Sequence, residues 1–317
     1  MLRNLMMALA AFALLAAAPA SAAWPEKPIK VVVGYKAGGL ADITARLIIQ
    51  SIEKNKLLPQ PVAVINMPGA ATALATRHVK DAEPDGYTIL MGNDSPLTAA
   101  ALGILDFGPE AFSFIAETSR VCVMHLVGTP TPYMTLAELV DAAKKKPNTI
   151  TEGVNFGATG HMSSLRFNDM AGITTRYVQG GGSAKRAQMM AGGTIDYTLS
   201  STLTLSEFGH LGIRGLAYMS NKRHPRWPDI PTSKELGYDI EFCVGGWWWA
   251  PKDTPQEVID TFAGALRKAM ADPEVIKSLE DRTLEPTYTD GEAFRKTITD
   301  QYEAFKAIAK KHDVKPN

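Results

Sequence analysis

The run Ile29-Lys30-Val31-Val32-Val33-Gly34 breaks at Tyr35-Lys36-Ala37-Gly38-Gly39 and resumes at Asp42 with a helical period through Glu53. That order of strand, glycine loop and helix commits the chain to an α/β unit. The backbone N–H groups of such a loop and the positive end of the helix converge on one spot, where a negative group binds. Two phosphate readings fail. A Walker A loop needs Lys-Ser/Thr after its second glycine, and Leu40-Ala41 stand there. A dinucleotide turn needs G-x-G, and Gly34-Tyr35-Lys36 lacks the second glycine. A carboxylate needs only two or three donors. A carboxylate site and an unliganded βα turn are the two readings left open.

The alternation continues. Strands are expected at Val62–Asn66, Tyr87–Met91, Val121–Val127, Thr149–Val154, Ile195–Leu199, Ile213–Met219 and Glu241–Trp249. Helices are expected at Thr72–Lys80, from the capping box Thr135/Glu138 through Lys146, and up to Met170. Further helices should start at a second capping box, Thr254/Glu257, at Asp272-Pro273, and at Asp290, read as the cap of the last helix. Strand–loop–helix junctions near residues 36–42, 157–161 and 180–184 should gather at one sheet edge, where three loops can surround one small anion.

With 33 basic and 33 acidic residues in 317, the chain has no charge excess to drive nucleic-acid or anionic-membrane binding. Arg3, the apolar stretch from Leu5 to Ala18 and Ala20-Ser21-Ala22 read as a secretory signal peptide over residues 1–22. No later apolar run is long enough to span a bilayer. Export permits cysteine pairing, so Cys122 and Cys243, each in a β-like run, are either two buried thiols or a disulfide.

Catalytic signatures are absent: there is no G-x-S-x-G, H-E-x-x-H or C-x-x-C. No histidine has metal-ligand spacing to a cysteine or another histidine, and no cofactor is implied. His161, at a loop–helix start, either packs or meets a ligand. Asp42 either caps its helix by accepting from N–H groups two or three residues on or touches the ligand. Asn66, Asn93, Asn155 and Asn168 lie at or near strand ends and serve turns or a ligand. In Trp247-Trp248-Trp249 only the first and third share a strand face, so the run reads as core packing.

Several motifs, in order, extend over the whole mature chain: Trp24-Pro25-Glu26-Lys27-Pro28-Ile29, Ala37-Gly38-Gly39-Leu40-Ala41-Asp42, Asn66-Met67-Pro68-Gly69-Ala70 and Pro84-Asp85-Gly86-Tyr87-Thr88. Pro228-Asp229-Ile230-Pro231-Thr232, Glu235-Leu236-Gly237 and Ala250-Pro251-Lys252-Asp253-Thr254-Pro255 follow. Together they resemble the periplasmic solute-binding proteins of tripartite tricarboxylate transporters, the Bug receptors. The resemblance implies a two-lobed type II periplasmic binding protein fold, a Venus flytrap whose ligand cleft lies between lobes joined by two crossing strands. Residues 23–122 plus 248–317 would form lobe 1 and residues 123–247 lobe 2. It implies a monomeric receptor, not an enzyme, located in the periplasm. Such a receptor would bind a di- or tricarboxylate, an acidic amino acid or an aromatic acid and deliver it to integral-membrane permease subunits, or present it to a sensor kinase.

By the same resemblance, the ligand set would comprise Tyr35, Lys36, Ala37, Gly38, Gly39, Ala41, Asp42 and Asn93 from lobe 1. Thr159, Gly160, His161, Gly181 and Ser183 would come from lobe 2. Cys122 and Cys243 would lie in adjacent hinge strands. Lys36 stands where the family often has proline, and puts a positive charge at the cleft mouth. Leu40 replaces a frequent small residue and narrows the loop.

Overall fold

The computed structural model describes residues 24–315. The signal peptide read over residues 1–22 lies outside the described residues. β1 (Ile29–Val33), β2 (Val62–Asn66) and β3 (Thr88–Gly92) form a parallel block with β1 in the centre. β9 (Cys243–Pro251) runs antiparallel to β3 and to β4 (Phe112–Val127). β5 (Thr151–Val154) pairs in parallel with β6 (Arg176–Gln179) and with β7 (Tyr197–Ser201). The whole is one sheet in the order β2-β1-β3-β9-β4-β7-β5-β6. β8 (Arg214–Tyr218) and β10 (Glu285–Asp290) both pair with β4.

β4 is the spine. Its residues 112–122 pair with β9, and its residues 123–127 pair with β7 and β8, so this one strand carries the chain from one half of the sheet into the other. The sequence reading placed this strand only at Val121–Val127. It starts nine residues earlier because Phe112-Ser113-Phe114-Ile115-Ala116 pairs with the buried tryptophan strand. At the end of the β4–β9 ladder Cys122 faces Cys243 in register, and the two form a disulfide.

Helices α1 (Leu40–Lys54), α2 (Ala73–Lys80) and α3 (Ser95–Ala101) follow the strands of the first half. α4 (Leu136–Lys145), α5 (Thr159–Ala171), α6 (Ser183–Ala191) and α7 (Thr202–Phe208) belong to the second. α8 (Gln256–Ala269), α9 (Pro273–Glu280) and α10 (Gly291–Lys311) return to the first half. The tryptophans divide as strand periodicity requires: Trp247 and Trp249 join the core shared with Phe114 and Phe294, while Trp248 joins the core against Phe262. All three are buried, each burying apolar area worth several kcal/mol.

The capping box at α4 forms as expected, Glu138 N–H donating to Thr135 Oγ1 and Thr135 N–H to Glu138 Oε2, both at 3.2 Å. Asp272 also caps α9, accepting from Glu274 N–H at 2.9 Å. Two other expected caps do not form. Thr254 Oγ1 donates to the Pro251 carbonyl at 2.7 Å, so its side chain is used inside the turn. The Asp290 carboxylate is taken by Arg267 and by the Tyr288 hydroxyl, which leaves α10 without a side-chain cap.

Candidate functional site

Gly38 takes φ +79°, a conformation that favours glycine, and the Gly39 N–H closes the turn onto the Lys36 carbonyl at 3.1 Å. α1 then begins at Leu40. Its first intrahelical bond runs from Ile43 N–H to the Gly39 carbonyl at 2.9 Å. The N–H groups of Leu40, Ala41 and Asp42 precede it. They have no carbonyl of their own helix to meet and carry its positive end outward.

Asp42 does not cap forward, as the sequence reading allowed. The helix starts two residues earlier than expected, so Asp42 is its third residue and reaches back. Its Oδ2 accepts from Gly38 N–H at 2.9 Å, and its Oδ1 accepts from Arg46 Nε and Asn66 Nδ2, each at 2.9 Å. Burial pushes this carboxyl up, but those three hydrogen bonds outweigh it and hold Asp42 below the usual carboxylate range. Asn66 Nδ2 also donates to the Tyr35 carbonyl at 3.1 Å. Asp42 and Asn66 therefore build the loop from behind.

In front of the loop lies a cleft of about 140 Å³. Tyr35, Gly39, Leu40, Ala41 and Thr44 form one wall, and Met91, Gly92 and Asn93 the next. The floor is the crossing strands, Ser119 and Val121 of β4 with Val244, Gly245 and Gly246 of β9, and Leu284 closes one side. Asn93 Oδ1 accepts from the Tyr35 hydroxyl at 2.6 Å and from Ser95 N–H at 2.9 Å. Burial pushes the Tyr35 phenol above its ordinary value, so it stays a neutral donor. Asn93 Nδ2 has no partner among the described residues and is free to donate.

Among the expected ligand residues, Tyr35, Gly39, Ala41 and Asn93 line this cleft. Lys36, Ala37 and Gly38 are exposed on the same loop and do not line it. Thr159, Gly160, His161, Gly181 and Ser183 lie in the other half. Thr159 Oγ1 crosses to the first half, 3.0 Å from Thr98 Oγ1 and 3.3 Å from Asp94 Oδ1. His161 packs edge-on between Phe156 and Tyr177 beside the end of the chain, and its Nδ1 accepts from Gly157 N–H at 3.3 Å. Burial, helped by His312, pushes His161 down to about 4, so it is neutral at pH 7 and brings no charge to an anion. The Gly181 carbonyl accepts from Arg186 Nη1 at 2.9 Å, and Ser183 Oγ lies 3.5 Å from Ser200 Oγ.

The floor residues were not anticipated. One signal was available: Gly245-Gly246 interrupts an otherwise bulky strand, which marks a close approach. A Cβ on Gly246 would collide with Ser119 Oγ. Among the described residues, Cys122, Glu241 and Cys243 form a group of metal-ligand types, but the disulfide removes both thiolates.

Residues 45–314 match the model of the tripartite tricarboxylate transporter family receptor, TctC. The chain belongs to this family. Its relatives include an Agrobacterium vitis protein described as "UPF0065 protein in the TAR-I ttuE-ttuC' intergenic region", 32% identical over 82% of this chain and 76% of its own length. BugT of Bordetella pertussis is 26% identical over 94% of each chain. Among solved structures, a TctC solute-binding protein from Polaromonas superposes with TM-score 0.81 at 26% identity, covering 91% of this chain and 99% of its own. The periplasmic binding protein BugD superposes at 0.73 with 27% identity, covering 92% and 99%. Rpa4515 of R. palustris, solved with adipate, shares the fold at TM-score 0.77 and 24% identity, covering 93% and 100%. The TctC-family chain thus has the two-lobed α/β fold of periplasmic solute-binding receptors, with β4 and β9 as the strands between its halves.

Proposed function

We propose that this TctC-family receptor captures a small carboxylate in the cleft in front of the Tyr35–Asp42 loop and delivers it to the permease subunits of a tripartite transporter. The observation that carries the reading is the set of N–H groups from Leu40 to Asp42. They stand at the positive end of α1 beside the free Asn93 amide, on the wall of an otherwise apolar cleft. Two to three converging neutral donors suit a carboxylate. Export by removal of residues 1–22, and a division into residues 23–122 plus 248–317 against 123–247, belong to the same reading. It assigns the chain no catalytic step.

A ligand of about ten heavy atoms at micromolar affinity needs about −8 kcal/mol, near −0.8 kcal/mol per atom. An open wall does not supply that. Closure of the lobes does, by bringing the loops at Thr159–His161 and Gly181–Ser183 over the ligand. A thermal-shift screen of the mature protein against C3–C6 di- and tricarboxylates, acidic amino acids and aromatic acids tests the reading. At least one should raise the melting temperature in a saturable way, and a flat screen would refute the carboxylate assignment.

A further inference from the structure

Arg120 lies between Ser119 and Val121 on β4, and strand alternation sends it to the face opposite the cleft floor. On that face a second cavity, about 430 Å³, opens between the crossing strands, α5 and α10. Its charged and amide lining is Arg120, Arg166, Glu117, Glu241, Asp300 and Gln301.

Each carboxylate there already has a partner. Glu117 accepts from Arg120 Nη2 at 2.8 Å, Glu241 accepts from Asn221 Nδ2 at 2.7 Å, and Asp300 accepts from Lys296 Nζ at 2.6 Å. Gln301 donates to Asp94 at 2.8 Å. Arg166 is the exception. It is partly buried and makes no ion pair or hydrogen bond among the described residues. Arg120 Nε is buried and also lacks a partner. The Arg166 nitrogens meet solvent rather than a counter-charge, and partial burial pushes Arg166 below its ordinary value.

We propose that this cavity is a second ligand site, separate from the cleft, which binds a small monocarboxylate through the Arg166 guanidinium. The planar fork of an arginine matches a carboxylate with two parallel hydrogen bonds. A single charge is selected because Glu117, Glu241 and Asp300 would repel a second one. Phe242, Trp247 and Ala304 give the ligand's body an apolar surface.

The test follows the Trp247 indole ¹⁵N–¹H resonance, assigned with W247F, during titrations with sodium benzoate, sodium propionate and sodium succinate, each against sodium chloride at matched ionic strength. Benzoate or propionate should shift it saturably, with succinate at least fivefold weaker. R166Q should abolish saturation. R166K, which keeps the charge but loses the fork, should weaken it at least threefold. Ala41→Leu, which changes the cleft wall on α1 away from the Trp247 strand, should leave the titration in place. A response equal to that of chloride, unchanged saturation in either Arg166 variant, or loss of saturation in Ala41→Leu would overturn the proposal.

Discussion

Asn66 Nδ2 donates to Asp42 Oδ1 at 2.9 Å across 24 residues of sequence, and the same nitrogen holds the Tyr35 carbonyl at 3.1 Å. One amide thus ties the end of β2 to both ends of the glycine loop. Hydrogen bonds to charged groups contribute about 1.5–3 kcal/mol each. N66A should therefore lower stability by about 1–3 kcal/mol and weaken carboxylate binding roughly tenfold, because the loop donors lose their fixed direction. Urea unfolding and calorimetric titration check the two parts. Full affinity in a destabilised variant would show that the loop does not position the ligand.

Asp94 is fully buried at the start of α3, where Thr159 of the other half and Gln301 of α10 donate to it. Burial pushes its carboxyl up to about 7, the hydrogen bonds only partly opposing. The folded state therefore holds a proton that the unfolded chain gives up near 3.8. Its contribution to stability is fully present below about 4 and is lost as pH rises through about 7. Glu152, also raised to about 7 by burial, acts in the same direction. His125, pushed down to about 3 by burial, acts oppositely and loses stability as pH falls below about 6.5. The difference between wild type and D94N isolates Asp94. The variant should gain about 2–4 kcal/mol relative to wild type between pH 4.5 and 8.5. A pH-independent difference in urea midpoints would contradict it.

The Cys122–Cys243 disulfide closes a loop of 121 residues at the junction of the two halves. In the chain-entropy account a loop of this length is worth about 5 kcal/mol, of which disulfides typically deliver about 2–4 kcal/mol. The C122S/C243S double variant should lose that much in equilibrium unfolding while retaining its circular dichroism spectrum. Unchanged stability would mean that the β4–β9 ladder alone fixes the crossing.

Most of the architecture was legible because it rests on local signals. The apolar run before Gly34, the capping box at Thr135 and the two-residue period of the tryptophans each fix one element without help from distant residues. What was not legible depends on tertiary partners. The early part of β4 has no sequence break and exists because it pairs with the tryptophan strand. Asp290 and Thr254 are good caps in isolation, but Arg267, Tyr288 and the Pro251 carbonyl compete for their side chains. The candidate site divides in the same way. The glycine loop announces itself, whereas Ser119, Val121 and Leu284 reach the cleft only through sheet register and chain crossing, which no local pattern encodes.

The central claim is that the cleft before the glycine loop holds the carboxylate. Gly92 lines that cleft, and a Cβ there would meet nothing within 4 Å, so the side chain introduced by Gly92→Leu starts in open space. Calorimetric titration of wild type and Gly92→Leu with the best carboxylate from the screen is the most direct test. The account predicts one saturable site in wild type and at least a tenfold loss of affinity in the variant, with melting temperature unchanged within a few degrees. Equal affinity in a folded Gly92→Leu protein would place the ligand elsewhere and contradict the account.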